Sequence, residues 1–314
     1  MKYIKELKEG DRVSDIYLIK QRNSSVTKNG KPFDNVIIQD KTGSLDAKIW
    51  DPNSPGIDDF DAQDYVEIMG DIVSFNGALQ LSVKRARKCM EGEYDPSNYL
   101  PVSPFSIEDM YSEILGFVDS VKNPYLNKLL CALFKEDEAF IKAFKKSSAA
   151  KSVHHSFIGG LVQHTLAVAK LCDYYCTQYV GLNRDLLITS ALCHDIAKTK
   201  EISLYPENDY TDSGNFLGHI VMGVEMVGRK IDTIEGFPEV IANELKHCIL
   251  AHHGEFEYGS PKKPAIMEAV ALNFADNTDA KMQIFTELLE AENKPGWLGF
   301  KKMLDSNVIA TRME

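Results

Sequence analysis

The sequence has no apolar run of transmembrane length, since no stretch approaches the ~18 uninterrupted apolar residues a spanning helix requires. Its opening, MKYIKELKEGDRV, is charged throughout and has no apolar signal-peptide core. A membrane is therefore not an expected partner, and the cytoplasm is the expected location. The six cysteines (Cys89, Cys131, Cys172, Cys176, Cys193 and Cys248) include no Cys-x-x-Cys pair, which argues against a zinc ribbon or a disulfide framework. Cys172 and Cys176 share a helix face, and buried free thiols are the simplest reading. There is no internal repeat and no low-complexity tract. Positive charge is also short: the net charge of −11 argues against a protein that coats nucleic acid by bulk attraction. The deficit is uneven. Residues 1–90 carry 14 Lys+Arg and 14 Asp+Glu, and the remainder carries 21 and 32. All the excess acid lies in the C-terminal part.

What is present is enough for two domains. The 314 residues exceed the usual single-domain length, and 44% hydrophobic with 26% charged residues is the composition of an ordinary globular protein. Residues 12–88 read as five strands. The segments are Val13–Ile19, Phe33–Asp40, Ser44–Trp50, Tyr65–Val73 and Leu79–Val83, with period-two alternation clearest in the third and fifth. Asn29-Gly30 and Asn76-Gly77 supply hairpin turn chemistry. Five short strands with a less regular insert at 51–64 predict an N-terminal all-β OB-fold barrel over residues 1–90. This segment resembles the nucleic-acid-binding OB modules of the tRNA-anticodon type. Phe33, Trp50 and Phe75 could stack bases, while Lys48 and Arg85, with Lys20, Arg22, Lys28, Lys31, Lys84 and Arg87, could meet phosphates. The competing reading is that these aromatics are core and these charges a solvated face.

Residues 91–105 hold three prolines without periodicity and read as a linker. The rest, 106–314, reads as an all-α bundle, with helical spacing over Ile107–Val121, Tyr125–Phe134, Ala139–Phe144, Gly160–Tyr179, Arg184–Ala197, Leu217–Ile234, Glu239–Ala251 and Ala265–Leu289. Residues 201–215 read as a loop or short hairpin.

Within that bundle lies the most informative string, Ala191-Leu192-Cys193-His194-Asp195-Ile196-Ala197-Lys198. A His-Asp pair offers a divalent metal one imidazole nitrogen and one carboxylate oxygen. His164 precedes it, and His219, His252-His253 and Asp276 follow. Each histidine alone is more easily read as structural, but the order His, His-Asp, His, His-His, Asp resembles that of the HD phosphohydrolase superfamily. The resemblance implies that His164, His194, Asp195 and Asp276 hold a core metal, and that His219, His252 and His253 serve a second. His247 reads as structural or exposed, His154 and His155 as possible substrate-facing residues, and Asp279 as a capping or supporting group. Mixed nitrogen and oxygen donors suit Mn²⁺, Fe²⁺, Co²⁺, Ni²⁺, Mg²⁺ or Zn²⁺. Asp195 and Lys198 are the catalytic candidates, Lys198 standing one turn beyond the pair to contact a phosphate oxygen, with a salt bridge as its simpler alternative.

Longer strings are similar to the YhaM family of bacterial 3′-to-5′ exoribonucleases. They are Ala150–Leu161 with His164-Thr165, Gly214–Ile220, Ala251–Glu255 followed by Tyr258–Pro261, and Asn273–Ala280. Tyr258 and Ala197 depart from the family's usual Trp and Gly without touching a proposed ligand. The resemblance implies one or two divalent ions per chain, Mn²⁺ preferred. It also implies hydrolysis of single-stranded RNA, or single-stranded DNA, to nucleoside 5′-monophosphates by metal-activated water. The alternative is an HD enzyme on small nucleotides or cyclic dinucleotides whose OB module docks a partner. A binding protein with a vestigial site is a third reading. Helical surfaces in the C-terminal half could support a homo-oligomer.

Overall fold

The computed structural model describes residues 1–27, 29–75, 77–151, 155–292 and 295–311. Lys28, Asn76 and His154, singled out above, lie outside the described residues. The chain forms two compact units, Met1–Pro101 and Val102–Glu314.

The first unit is a closed barrel of β1 (Arg12–Val26), β2 (Pro32–Asp40), β3 (Gly43–Ile49), β4 (Tyr65–Phe75) and β5 (Ala78–Lys88), in the order β1-β2-β3-β5-β4. All neighbouring pairs are antiparallel except β3 with β5, the arrangement of an OB fold. Closure depends on the long first strand, which pairs with β4 through Arg12–Leu18 and with β2 through Leu18–Val26, the register slipping between Ile19 and Gln21. Such a slip bends a strand and lets it serve two neighbours. Strand β1 runs well past its apolar stretch because Gln21–Ser25 form the solvent-facing arm of a hairpin, where pairing continues without alternation. Inward positions of β2 include Val36 and Ile38, which pack with Tyr17, Ile19, Ile49, Val66, Ile68, Ile72 and Leu81. Asp34 also points inward and is neutralised by Arg22, whose Nη2 lies 2.7 Å away and whose guanidinium covers the Phe60 ring. Residues 91–101 belong to this unit: the Tyr94 ring stacks on Tyr65 at 3.7 Å, and Tyr99 and Leu100 are buried.

The second unit is helical: α1 (Ile107–Ser120), α2 (Pro124–Phe134), α3 (Glu138–Lys146), α4 (Gly160–Gln178), α5 (Arg184–Cys193), α6 (Lys198–Glu201), α7 (Asp212–Ile231), α8 (Glu239–Ala251) and α9 (Met267–Glu292). A hairpin of β6 (Gly296–Lys301) and β7 (Ser306–Ala310) follows, which helical spacing did not foresee. Among the described residues no helix is long and apolar enough to cross a membrane.

Helix α5 organises this unit. Every residue from Leu186 to Cys193 is buried, so it has no polar face and must be central. It is short, capped by the Asn183 side chain on the Leu186 N–H, and its C-terminal end delivers the next two residues, His194 and Asp195, into the interior. Leu187, fully buried in this core, should tolerate truncation poorly. Leu187→Ala is expected to cost about 2–5 kcal/mol, read from the denaturant midpoint; a loss under ~1 kcal/mol would mean α5 is not the packing centre.

Candidate metal centre

Five helices converge on Asp195. His164 comes from α4, His194 and Asp195 from just past α5, His219 from α7, His252-His253 from the end of α8, and Asp276 from α9. All these predicted ligands are brought together.

Their orientation has local causes. The last carbonyls of a helix lack intrahelical partners. At the ends of α5 and α8 the imidazole folds back onto one of them: His194 Nδ1–H donates to Ala191 O at 2.8 Å, and His252 Nδ1–H to Ile249 O at 2.7 Å. His253 Nδ1–H donates to Tyr258 O at 2.8 Å. A carbonyl can only accept, so each Nδ1 carries a proton and each ring turns Nε2 inward. Carboxylates do the same elsewhere. His164 Nδ1 lies 2.6 Å from Asp279 Oδ2, and His219 Nδ1 lies 2.9 Å from Glu201 Oε1. Helix α7 breaks at Gly218, whose φ of 72° and ψ of 157° suit glycine alone, and Glu201 Oε1 also accepts the His219 backbone N–H at 2.9 Å. The break and the carboxylate together aim the His219 ring.

The donor atoms form two groups. Around His164 Nε2 stand His194 Nε2 at 3.2 Å, Asp276 Oδ1 at 3.2 Å and Asp195 Oδ2 at 3.4 Å; His194 Nε2 is 3.3 Å from Asp195 Oδ2 and 4.0 Å from Asp276 Oδ1. Ligands held about 2.0–2.2 Å from one cation are separated by about 3–3.5 Å, so the set fits a single ion. Asp195 Oδ1 faces the other way, 3.4 Å from His219 Nε2 and 3.6 Å from His252 Nε2. The donors of His219, His252 and His253 lie within 4.8 Å of one another.

Both groups fit divalent cations better than they fit protein alone. Asp195 Oδ1, His219 Nε2 and His252 Nε2 are buried and make no hydrogen bond among the described residues, an arrangement that is unfavourable unless a cation satisfies them. The electrostatics agree. Burial opposes a proton on His164, yet hydrogen bonds to Asp195, Asp276 and Asp279 outweigh it and lift its pKa well above the usual imidazole value. Burial alone would raise Asp276, but contact with His164 and the charges of the surrounding rings hold it well below the carboxylate range. The carboxylates thus demand positive charge at this point. At His252 burial and the neighbouring His253 and His194 push the pKa well down, which keeps its lone pair available.

Lys198 opens α6 with Nζ 2.7 Å from Asp195 Oδ2 and is largely buried, the salt-bridge alternative of the sequence reading. His155 is not substrate-facing: it is 1% exposed, with Nε2 2.8 Å from Asp279 Oδ2. Asp279 therefore supports His164, and His247 accepts the Ala265 N–H at 2.9 Å. Glu201 was missed. Its partner His219 is 18 residues away across a loop, and no sequence signal links them.

On the barrel, Phe33 and Trp50 are cross-strand neighbours with ring centroids 5.7 Å apart, and Lys48 Nζ sits 4.9 Å from the Phe33 centroid. Trp50 is 56% exposed, so it is not core. Arg85 is exposed near the same end of the strands. Phe75, 60% exposed, stands at the β4–β5 turn, the opposite end of β3 and β5 from Trp50, and does not join the cluster. Arg22, Lys84 and Arg87 each face an acidic neighbour. Arg22 is engaged by Asp34, Lys84 pairs with Asp71, and Arg87 pairs with Glu67 and Glu93.

Among solved structures, the second OB-fold domain of replication protein A from Methanococcus maripaludis is similar at 19% identity, over 30% of this chain and 100% of that one, with a TM-score of 0.24. The OB domain of a Thermoplasma acidophilum protein is 20% identical over 30% of this chain and 89% of that one, TM-score 0.24. A replication factor A related protein from Methanobacterium thermoautotrophicum is 26% identical over 30% and 94%, TM-score 0.23. In the helical unit, residues 161–281 match the HD domain family, and they span every ligand described above. The chain therefore carries an HD domain, a domain of metal-dependent hydrolases, behind an OB-fold barrel.

Proposed function

We propose that this chain is a metal-dependent 3′-to-5′ exonuclease that hydrolyses single-stranded RNA, with single-stranded DNA as a second substrate, to nucleoside 5′-monophosphates. The observation that carries the hydrolytic part is the two-sided Asp195, whose oxygens face separate groups of buried donors. The single-strand part is supported by the Phe33–Trp50–Lys48 cluster on the barrel, a stacking surface with a cation beside it. Direction and product follow the resemblance of the HD strings to the YhaM family, as does the preference for Mn²⁺.

His164, His194, Asp195 and Asp276 would hold one cation, and His219, His252 and His253 with the far oxygen of Asp195 a second. Cations bound there supply an acidified water and neutralise charge that develops on the phosphodiester. The chain's own part is to keep five imidazoles in the tautomer that points Nε2 inward, through the carbonyl and carboxylate partners above. Lys198 has a second task in this reading. An ammonium and a cation on one carboxylate oxygen repel each other, and a substrate phosphate oxygen is the alternative partner for Nζ. Lys198→Ala should then lower kcat by about a hundredfold, the scale of one lost transition-state contact, with a smaller change in metal content. Loss of metal with kcat per bound ion preserved would make Lys198 a support for Asp195 only.

The direct test incubates 5′-labelled single-stranded RNA with the purified protein, with Mn²⁺ and with chelator. A metal-dependent ladder shrinking from the 3′ end, with mononucleotide release, is the expected result. Intact RNA alongside turnover of mononucleotides or cyclic dinucleotides would overturn the exonuclease reading in favour of a small-nucleotide hydrolase.

A further inference from the structure

One buried residue of the helical unit is held in a conformation its side chain does not favour. His155 has φ of 59°, the left-handed region that residues with a Cβ rarely adopt outside turns and functional sites. Several contacts enforce it. Its carbonyl accepts from Ala149 N at 3.1 Å and Phe157 N at 2.9 Å, and its own N–H donates to Glu287 Oε1 at 3.1 Å. Gly160 packs so closely that a Cβ there would lie 2.0 Å from the His155 oxygen, so a larger residue would force this carbonyl out of place. The result is an imidazole 1% exposed, with Nε2 2.8 Å from Asp279 Oδ2. The same oxygen lies 2.6 Å from His164 Nδ1.

We propose that His155 is a positioning residue for the metal centre, acting through Asp279 on His164. Two imidazole N–H groups on one carboxylate oxygen fix both where that oxygen sits and that it accepts from His164 Nδ1. With Nδ1–H so committed, His164 can only present Nε2 to the group of Asp195, His194 and Asp276. Without His155, Asp279 has one donor fewer on Oδ2 and its carboxylate is free to rotate, toward the cation or away from His164. The three donors His155, His164 and Asp279 are also close enough together to hold a cation themselves. Separations of 2.6 and 2.8 Å favour the hydrogen-bonded reading, because ligands on one ion stand about 3 Å or more apart. The inference rests on the metal reading of the previous subsection.

Calorimetric titration of Mn²⁺ into the full chain tests it, comparing wild type with His155→Gln, His155→Leu and Asp279→Asn. Glutamine and leucine fill similar space and meet the same left-handed backbone, but only glutamine can donate to Asp279. His155→Leu and Asp279→Asn should lose roughly 10- to 100-fold in Mn²⁺ affinity, the range for an outer hydrogen-bond partner of a metal ligand, while His155→Gln should stay within about threefold of wild type. Equal losses in the glutamine and leucine variants would assign His155 to packing and overturn the proposal. So would wild-type affinity in His155→Leu, or loss of one whole equivalent of Mn²⁺, which would mark a separate cation site. If His155→Leu does not fold, undiminished affinity in Asp279→Asn overturns it equally. Absence of Mn²⁺ binding by the wild type would remove the metal reading itself, whereas wild-type binding with an unaltered His155→Leu removes this inference alone.

Discussion

His194→Ala is expected to abolish hydrolysis. The side chain is wholly buried, its Nδ1 is bound to Ala191 O, and its Nε2 is 3.2–3.3 Å from donors on His164 and Asp195, so its removal opens the first donor group at its centre. Metal affinity should fall by more than the ~10–100-fold that follows loss of an outer partner. Asp195→Ala should be more severe and should also destabilise. Asp195 is shared by both donor groups and is the partner of the largely buried Lys198 ammonium. Removing one member of a buried ion pair costs about 3–5 kcal/mol. The two variants therefore separate chemistry from folding: His194→Ala should lose turnover and metal with a modest shift in unfolding midpoint, and Asp195→Ala should lose all three. Turnover and Mn²⁺ content are measured beside denaturant unfolding. Undiminished turnover in either variant would mean that the convergence of helices on Asp195 is not the site of hydrolysis.

Binding of single strands should depend on the exposed ring pair of the barrel. Trp50→Ala should weaken binding of a single-stranded RNA by roughly 5- to 150-fold, corresponding to the ~1–3 kcal/mol of one stacked base. Phe33→Ala, half-buried and partnered by both Trp50 and Lys48, should act in the same direction. The measurement is fluorescence anisotropy in chelator, where the strand stays intact. Phe75→Ala reports separately, since Phe75 lies at the far end of the strands: a loss there as large as at Trp50 would mean that the strand tracks the length of β3 and β5. Unchanged affinity in Trp50→Ala and Phe33→Ala alike would leave the barrel face without a role in single-strand binding.

Much of this was legible in the residues. Alternation in the third and fifth strands and the two Asn-Gly turns marked a small barrel, because a half-buried strand must show its two faces in the sequence. The His, His-Asp, His, His-His, Asp order marked the candidate ligands through its resemblance to the HD superfamily, and the fold brings those residues together. The helices were mostly readable from apolar spacing, as with Arg184–Ala197, which contains α5. Other features depend on partners that are remote in sequence. Glu201 and His219 meet across the loop that joins α6 to α7, and Asp279 meets His155 across 124 residues. The sequence also could not tell that Arg22 turns inward while Trp50 turns outward, since an inward arginine needs a buried acid such as Asp34 opposite it, and only the register of β1, β2 and β3 places that partner. The sequence pattern by itself determined a barrel, a helical bundle and a set of candidate metal donors. Tertiary packing decided which nitrogen faces the centre at His164 and His219, whose Nδ1 partners Asp279 and Glu201 come from other elements, because a tautomer is set by the group at the ring's other side.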